Sequence, residues 1–275
     1  MGFFAAQMVR FAWAEARACA FAVALFVGLA LFSFWDPPLP KYDALLVYAV
    51  VMTGLFWLTR LETGQEMLVI AGFHVVGLAF ELVKVRLGSW SYPEDAYTKL
   101  AGVPLYSGFL YAAVGSYVCR AWRILDLRLT GYRPRMTALV SAGIYANFLT
   151  HHFLPDLRIP LAALLLAATW GTVVHFTVGA HRYRMPVVLS LALIGFFLWI
   201  AENIATYFGA WRYPYQMEAW RLVHPDKFGA WALLVSVTFT LVAAWQSTRG
   251  RLHHPSSEPD RGWAVPLRHA PEKVG

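Results

Sequence analysis

The sequence predicts an all-α, polytopic membrane bundle of about eight spanning helices, built from two similar four-helix halves. Three observations carry this. Of 275 residues, 59% are hydrophobic and only 14% are charged, whereas a soluble domain carries about 25% charged residues. Mean hydropathy is +0.50. The apolar residues come in blocks of roughly 18–24, the length that crosses ~30 Å of hydrocarbon at 1.5 Å per residue, and in lipid such blocks must be helical to satisfy their own backbone. The third observation is an internal repeat.

The first helix is expected over 13–35. Arg10 and Arg17 precede an apolar run that suggests a signal peptide, but Ala18 to Trp35 is too long for one and ends in Asp36-Pro37-Pro38 without a small-residue cleavage site. Further helices are expected at 42–59, 66–87, 104–124, 135–154, 159–178, 185–208 and 226–246. Breakers separate them: Pro40, Gly64, Gly88, Pro93, Pro104, Pro134, Pro155, Pro160, Pro186, Gly209, Pro214 and Pro225. Residues 1–246 thus form the transmembrane domain. The Pro-, Arg-, His- and Ser-rich tail, 247–275, reads as disordered.

The net charge of +7 does not point to nucleic acid, because the basic residues gather at helix ends and in one loop, as topology signals and lipid contacts do. Arg10, Arg17, Arg60, Arg182, Arg184, Arg249 and Arg251 lie on the same side as Arg120, Arg123, Arg128, Arg133 and Arg135. The other side carries Lys41, Lys84, Arg86, Lys99, Arg158, Arg212, Arg221 and Lys227. Twelve against eight puts both termini in the cytoplasm of a bacterial cell with the protein in its inner membrane. Cys19 and Cys119 lie in apolar segments and read as small buried hydrophobes.

Residues 81–108 align without gaps to 202–229, an offset of 121. Glu81, Gly88, Trp90, Tyr92, Pro93, Pro104 and Gly108 match Glu202, Gly209, Trp211, Tyr213, Pro214, Pro225 and Gly229. The offset carries the first four helices roughly onto the last four, about 14–125 onto 135–246. With an even number of spans per half, the repeat is parallel rather than inverted.

Depth selects the candidate site. Glu81, Glu202 and His151 each fall about 16 residues into their helices from the inner side, roughly 24–26 Å across a ~30 Å core. A carboxylate there costs roughly 1–3 kcal/mol or more, so it faces the bundle interior and a partner. One Glu is expected to stay neutral and act as an acid while the other stays ionised beside His151. The structural alternative is that each Glu caps a loop or pairs with Lys84 or His151. Asn147, Asn203 and His152 lie close in depth, and His74 shares a helix face with Glu81. Trp90, Tyr92, Trp211 and Tyr213 read either as an interfacial aromatic belt or as walls of a lid over the site. His151-His152 with Asp156 could hold a metal together with a Glu, though no second spacing motif accompanies them; no nucleotide or cofactor fingerprint appears, and no cofactor is expected.

Two resemblances follow from these residues. The stretches FELVKVRLGSWSYPE, GVPLYSGFLYAAVGSYVCRAW, NFLTHHFLPD and AENIATYFGAWRYPYQ resemble the YoaT-type bacterial membrane proteins of unknown function. The repeat is more distantly similar to the membrane-type lycopene cyclase domain and the carotenoid hydratases. Glu202, Ala205, Gly209 and Trp211 fit their spacing, and Glu81, Gly88 and Trp90 fit it without the Ala. The cyclases follow a later Pro with paired Glu, whereas here Pro104 leads to Leu105-Tyr106 and Pro225 to Asp226-Lys227.

The leading expectation is an enzyme doing non-redox acid–base chemistry on an apolar lipid or isoprenoid substrate, surrounded by membrane lipids. Glu81 and Glu202 serve as acid and base and His151 as their partner, with aromatic faces to stabilise a carbocation. A proton- or cation-coupled transporter, or a small-molecule binding protein, is the alternative. A structural scaffold is the third.

Overall fold

The computed structural model describes residues 2–252 and 265–266. Within them the helices are α1 (Phe3–Ala18), α2 (Ala20–Phe34), α3 (Lys41–Leu58), α4 (Gly64–Arg86), α5 (Gly108–Ile124), α6 (Pro134–Thr150), α7 (Arg158–Ala168), α8 (Val187–Tyr207) and α9 (Asp226–Thr248). The strands are short: β1 (Lys99–Leu100), β2 (Val103–Pro104), β3 (Arg128–Thr130), β4 (Val173–Val178), β5 (His181–Pro186) and β6 (Val265–Pro266).

Among the described residues, α3, α4, α8 and α9 are long and apolar enough to cross a membrane, and the bent pair α1–α2 makes five. Their outer faces expose Val47, Val51, Leu68, Val75, Phe197 and Leu241, side chains that suit lipid rather than water. Thr63 opens α4 with a capping box, its hydroxyl accepting from Glu66 N and its own N–H donating to Glu66 Oε2 at 2.7 Å.

Two expected helices are corrected. The stretch 13–35 is two helices, because the chain turns by 66° at Cys19. Arg10, Glu15 and Arg17 make α1 too polar to continue inward, and it packs instead on α5 and β4. Its Gln7 Nε2 lies 3.3 Å from His181 Nδ1. The stretch 159–178 is helical only to Ala168. Thr169 bonds back to Leu165 O at 2.6 Å, Gly171 takes φ +76°, and the β-branched Val173–Val178 pairs antiparallel with β5. An apolar run of this length fits either period. β3, β4, β5 and β6 form one sheet in that order. Thr248 closes α9, and most of the expected disordered tail, 253–264 and 267–275, lies outside the described residues.

Helix α4 packs along α5, and α8 along α9. α5 and α9 touch, α2 meets α8, and α4 meets α6. The ends of α4 and α8 are built alike. Gly88 and Gly209 take φ +69° and +71°, and Ser89 N and Ala210 N donate to Lys84 O and Ala205 O at 3.0 and 2.9 Å. Beyond these turns Ser91 and Arg212 exchange both backbone hydrogen bonds, each 2.9 Å. These two residues are themselves 121 apart.

Candidate functional site

Each left-handed glycine turns the chain back over its own helix, so that aromatic residues just beyond it reach the Glu two turns inside. Trp90 Nε1 donates to Glu81 Oε2 at 2.7 Å and Tyr92 OH to the same oxygen at 2.8 Å, while Tyr111 OH on α5 donates to Oε1 at 2.8 Å. In the second clamp Tyr213 OH donates to Glu202 Oε1, and Trp231 Nε1 on α9 donates to Oε2 at 2.8 Å. An indole N–H can only donate, so each carboxyl presents at least one accepting oxygen. Burial, and next the adjacent carboxylate, push the Tyr92 and Tyr213 phenols well above their ordinary range, which keeps both as O–H donors. Glu81 and Glu202 are each 4% exposed. The clamps touch: the Trp90 and Tyr213 rings lie 6.2 Å apart, edge to face.

Both carboxyls line one cavity of about 290 Å³. Its other walls are almost wholly apolar, with Trp90, Tyr111, Phe148, Trp211 and Trp231 among them. Val76 on α4 and Leu241 on α9 line it too and are 46% and 50% exposed, so it reaches the helix surface between these two helices.

The remaining sequence candidates separate. His151 does not join the two Glu. It caps α6 and lines a second cavity of about 330 Å³ with Asn147 and His152. Depth along a helix fixes height but not facing, and the end of α6 faces this neighbour. His151 Nδ1 lies 3.0 Å from Phe148 O and so carries the ring hydrogen, leaving Nε2 as the other polar atom. Asn147 Oδ1 accepts from Leu157 N at 2.9 Å and Asn203 Oδ1 from Val223 N at 2.8 Å; both hold loops. His74 lies under Gly108 with its ring 4.3 Å from Phe109, on neither cavity. Asp156 turns to Arg158 Nε at 2.6 Å. Tyr92 and Tyr213 act on the carboxyls as donors; Tyr213 and Trp211 also face the first cavity.

Three residues at the site were not singled out by the sequence, and a fourth, Lys84, was expected only as a partner for Glu81, a pairing that does not form. Tyr111 and Trp231 complete the clamps from neighbouring helices, 30 and 29 residues after their Glu, a register the ungapped repeat does not display. Lys84 and Lys227 line the second cavity, and Lys227 also the first. Lysines near helix ends read as interfacial anchors; the signal against that was Lys84 lying three residues after Glu81, on the same helix face.

This geometry can be set beside known proteins. The chain is 50% identical over 248 residues to the uncharacterized protein YoaT of Bacillus subtilis (strain 168), covering 88% of this chain and 93% of that one. A crystal structure of a cross-linked MvINS trimer is similar at a TM-score of 0.43 and 18% identity, covering 66% of this chain and 96% of that one. A family model described as a protein of unknown function, DUF817, matches residues 7–239, and the chain belongs to that family.

Proposed function

We propose that the protein is a multi-pass bacterial inner-membrane protein that takes an apolar lipid into the cavity between Glu81 and Glu202 and performs non-redox acid–base chemistry on it. The observation that carries this reading is the pair of buried carboxyls on one largely apolar cavity, each hydrogen-bonded by aromatic N–H and O–H donors, with Lys227 on the wall near Glu202. Such a clamp fixes the carboxyl while leaving it able to exchange a proton with a guest. Trp90, Trp211 and Trp231 offer ring faces to a cation formed on protonating an alkene. A mouth at Val76 and Leu241 suits entry from lipid.

The same reading has eight passes in two parallel halves, with α1–α2 as one and α3 to α6, α8 and α9 as six others; the 11-residue α7 reaches only about 16 Å and completes its pass with the chain that follows it. The matched helix ends and the reciprocal Ser91–Arg212 pairing support a two-fold relation between the halves. The Arg-rich 120–135 connection supports cytoplasmic termini. A second reading, a proton- or cation-coupled carrier, is favoured by this same relation of the two Glu.

The test is mass spectrometry of lipids that co-purify with the protein, followed by incubation of the extracted lipid with wild type and with Glu81→Gln and Glu202→Gln. The expected result is a retained apolar lipid, converted by wild type and left unchanged by both variants, which still fold. Proton-coupled uptake into vesicles without conversion would favour the carrier. No retained lipid and no dependence on either Glu would refute both.

A further inference from the structure

The second cavity has a character unlike the first. Lys84 is 1% exposed, lines it, and has no carboxylate partner among the described residues; its ammonium lies 4.0 Å over the Phe148 ring. A cation that deep is costly without a counter-charge. Lys227, whose ammonium lies 4.8 Å over the Tyr213 ring and which shares the first cavity with Glu202 and feels its charge, adds a second ammonium to the same walls. The other charges are spoken for: Arg158 by Asp156, and Asp226 by His224 at 3.2 Å. Ser89, His151 and His152 supply further hydrogen-bonding atoms, with Ser89 Oγ 3.1 Å from His152 Nε2.

We propose that this cavity binds a phosphate-type anion, the headgroup of a lipid whose apolar chain occupies the adjoining cavity. Two ammonium groups that repel one another when the cavity holds no anion become mutually supporting around one. Trp90, Phe148 and Lys227 are walls of both cavities, so headgroup and chain sites adjoin. The crowding of cations is felt by the imidazoles: burial first, then Lys84, lowers His151, and burial, His151 and the two lysines lower His152. The chain half of this inference rests on the lipid reading above; the anion half stands on the buried Lys84, with Lys227 beside it.

The test uses the full chain in a neutral maltoside detergent, with thermal unfolding and native mass spectrometry as readouts. The probes are oleoyl lysophosphatidic acid, monoolein and inorganic phosphate. The phosphorylated lipid is expected to bind at least about tenfold more tightly than monoolein, and Lys84→Met and Lys227→Gln are each expected to remove most of that advantage. Lys84→Arg keeps a cation and should retain part of it, which separates loss of charge from loss of folding. Equal binding of the two lipids overturns the anion site while leaving the lipid reading intact. Inorganic phosphate stabilising as strongly as the phosphorylated lipid overturns the amphiphile assignment. Binding of phosphorylated lipid unchanged by every lysine substitution overturns the site altogether.

Discussion

Around Glu81 and Glu202 the chain builds two related clamps that share a Tyr donor beyond the turn, yet beside one clamp it leaves a polar cavity and beside the other it packs a solid core. The ungapped repeat makes the difference readable position by position. Lys84, Ser89, His224, Asp226 and Lys227 on the open side stand where Ala205, Ala210, Val103, Leu105 and Tyr106 stand on the closed one. On the closed side Tyr106 stacks on Tyr42 at 5.3 Å and donates to Ala210 O, and Val103, Ala205 and Ala210 are fully buried. Of the shared positions, Gly and Tyr serve the turn and the clamp on both sides, whereas Trp90 donates to Glu81 and Trp211 only lines the cavity. The divergent positions decide whether the space beneath is filled or left for a guest.

Exchanging the divergent residues should therefore have opposite outcomes on the two sides. Ala205→Lys drives an unpaired ammonium into a packed apolar cluster and should cost about 4 kcal/mol or more, enough to abolish a folded detergent-solubilised protein. Lys84→Ala removes a partnerless cation from a cavity wall and should leave the unfolding temperature of the ligand-free protein unchanged or raised. Thermal unfolding of both variants decides it. A tolerated Ala205→Lys, or a Lys84→Ala that unfolds, would break the contrast between an open and a closed side.

The clamps differ in how many donors they hold, and that ranks the next effects. After Tyr92→Phe, Glu81 keeps Trp90 and Tyr111; after Tyr213→Phe, Glu202 keeps only Trp231. Losing one hydrogen bond to a buried carboxyl costs roughly 1–3 kcal/mol, so Tyr213→Phe should lie at the upper end and Tyr92→Phe at the lower. Chemical denaturation measures both. The reverse order would mean that the clamps are not equivalent supports.

The sequence shows part of this. Long apolar runs announce α3, α4, α8 and α9, because nothing else satisfies such a backbone in lipid. They do not separate α7 from β4, since Thr172–Val178 is apolar, β-branched and continuous with the helix before it. The meeting of Glu81 and Glu202 on one cavity is legible, because a duplicated intramembrane carboxyl has a cost that only an interior position relieves. His151 was misgrouped because depth along a helix says nothing about azimuth. As a topology signal or a partner for Glu81, Lys84 is legible; its place over Phe148 of α6 is not, because that contact joins segments far apart in the chain.

The end of the bundle where α4 begins carries a further asymmetry with a pH signature. Glu62, just before α4, is buried and receives Ser116 Oγ at 2.5 Å, with Arg120 Nη1 3.7 Å away; the residue 121 positions on is Tyr183. Burial raises its carboxyl to about 7, with Ser116 and Arg120 offsetting part of that. The folded state then holds a proton that the unfolded chain has released between about pH 4.5 and 7. Stability should fall as pH rises through that window, by up to about 3 kcal/mol. Glu62→Gln, which cannot ionise, should flatten this slope in a pH series of unfolding temperatures. An unchanged slope would assign the pH dependence to other groups.

The smallest effect tests the shared scaffold itself. Gly88 and Gly209 occupy the same left-handed position at the ends of α4 and α8, where any residue with a Cβ is strained by roughly 1 kcal/mol. An Ala at 88 would meet nothing within 4 Å, so Gly88→Ala should cost that strain and no more. At 209 the new Cβ would lie 3.3 Å from Lys41 Nζ, the mobile end of a side chain that donates to Phe208 O at 2.9 Å and sits 3.6 Å from Glu94. Gly209→Ala should cost the same strain plus a few tenths of a kcal/mol for shifting that amine. Matched stability losses from the two changes would support one turn used twice, and a difference beyond about 1 kcal/mol would argue for two unrelated helix ends. Binding then separates the sides again. Gly88 precedes Ser89 and Trp90, both walls of the cationic cavity, whereas Gly209 precedes Ala210 in the packed core. Gly88→Ala should therefore weaken binding of the phosphorylated lipid, and Gly209→Ala should leave it unchanged.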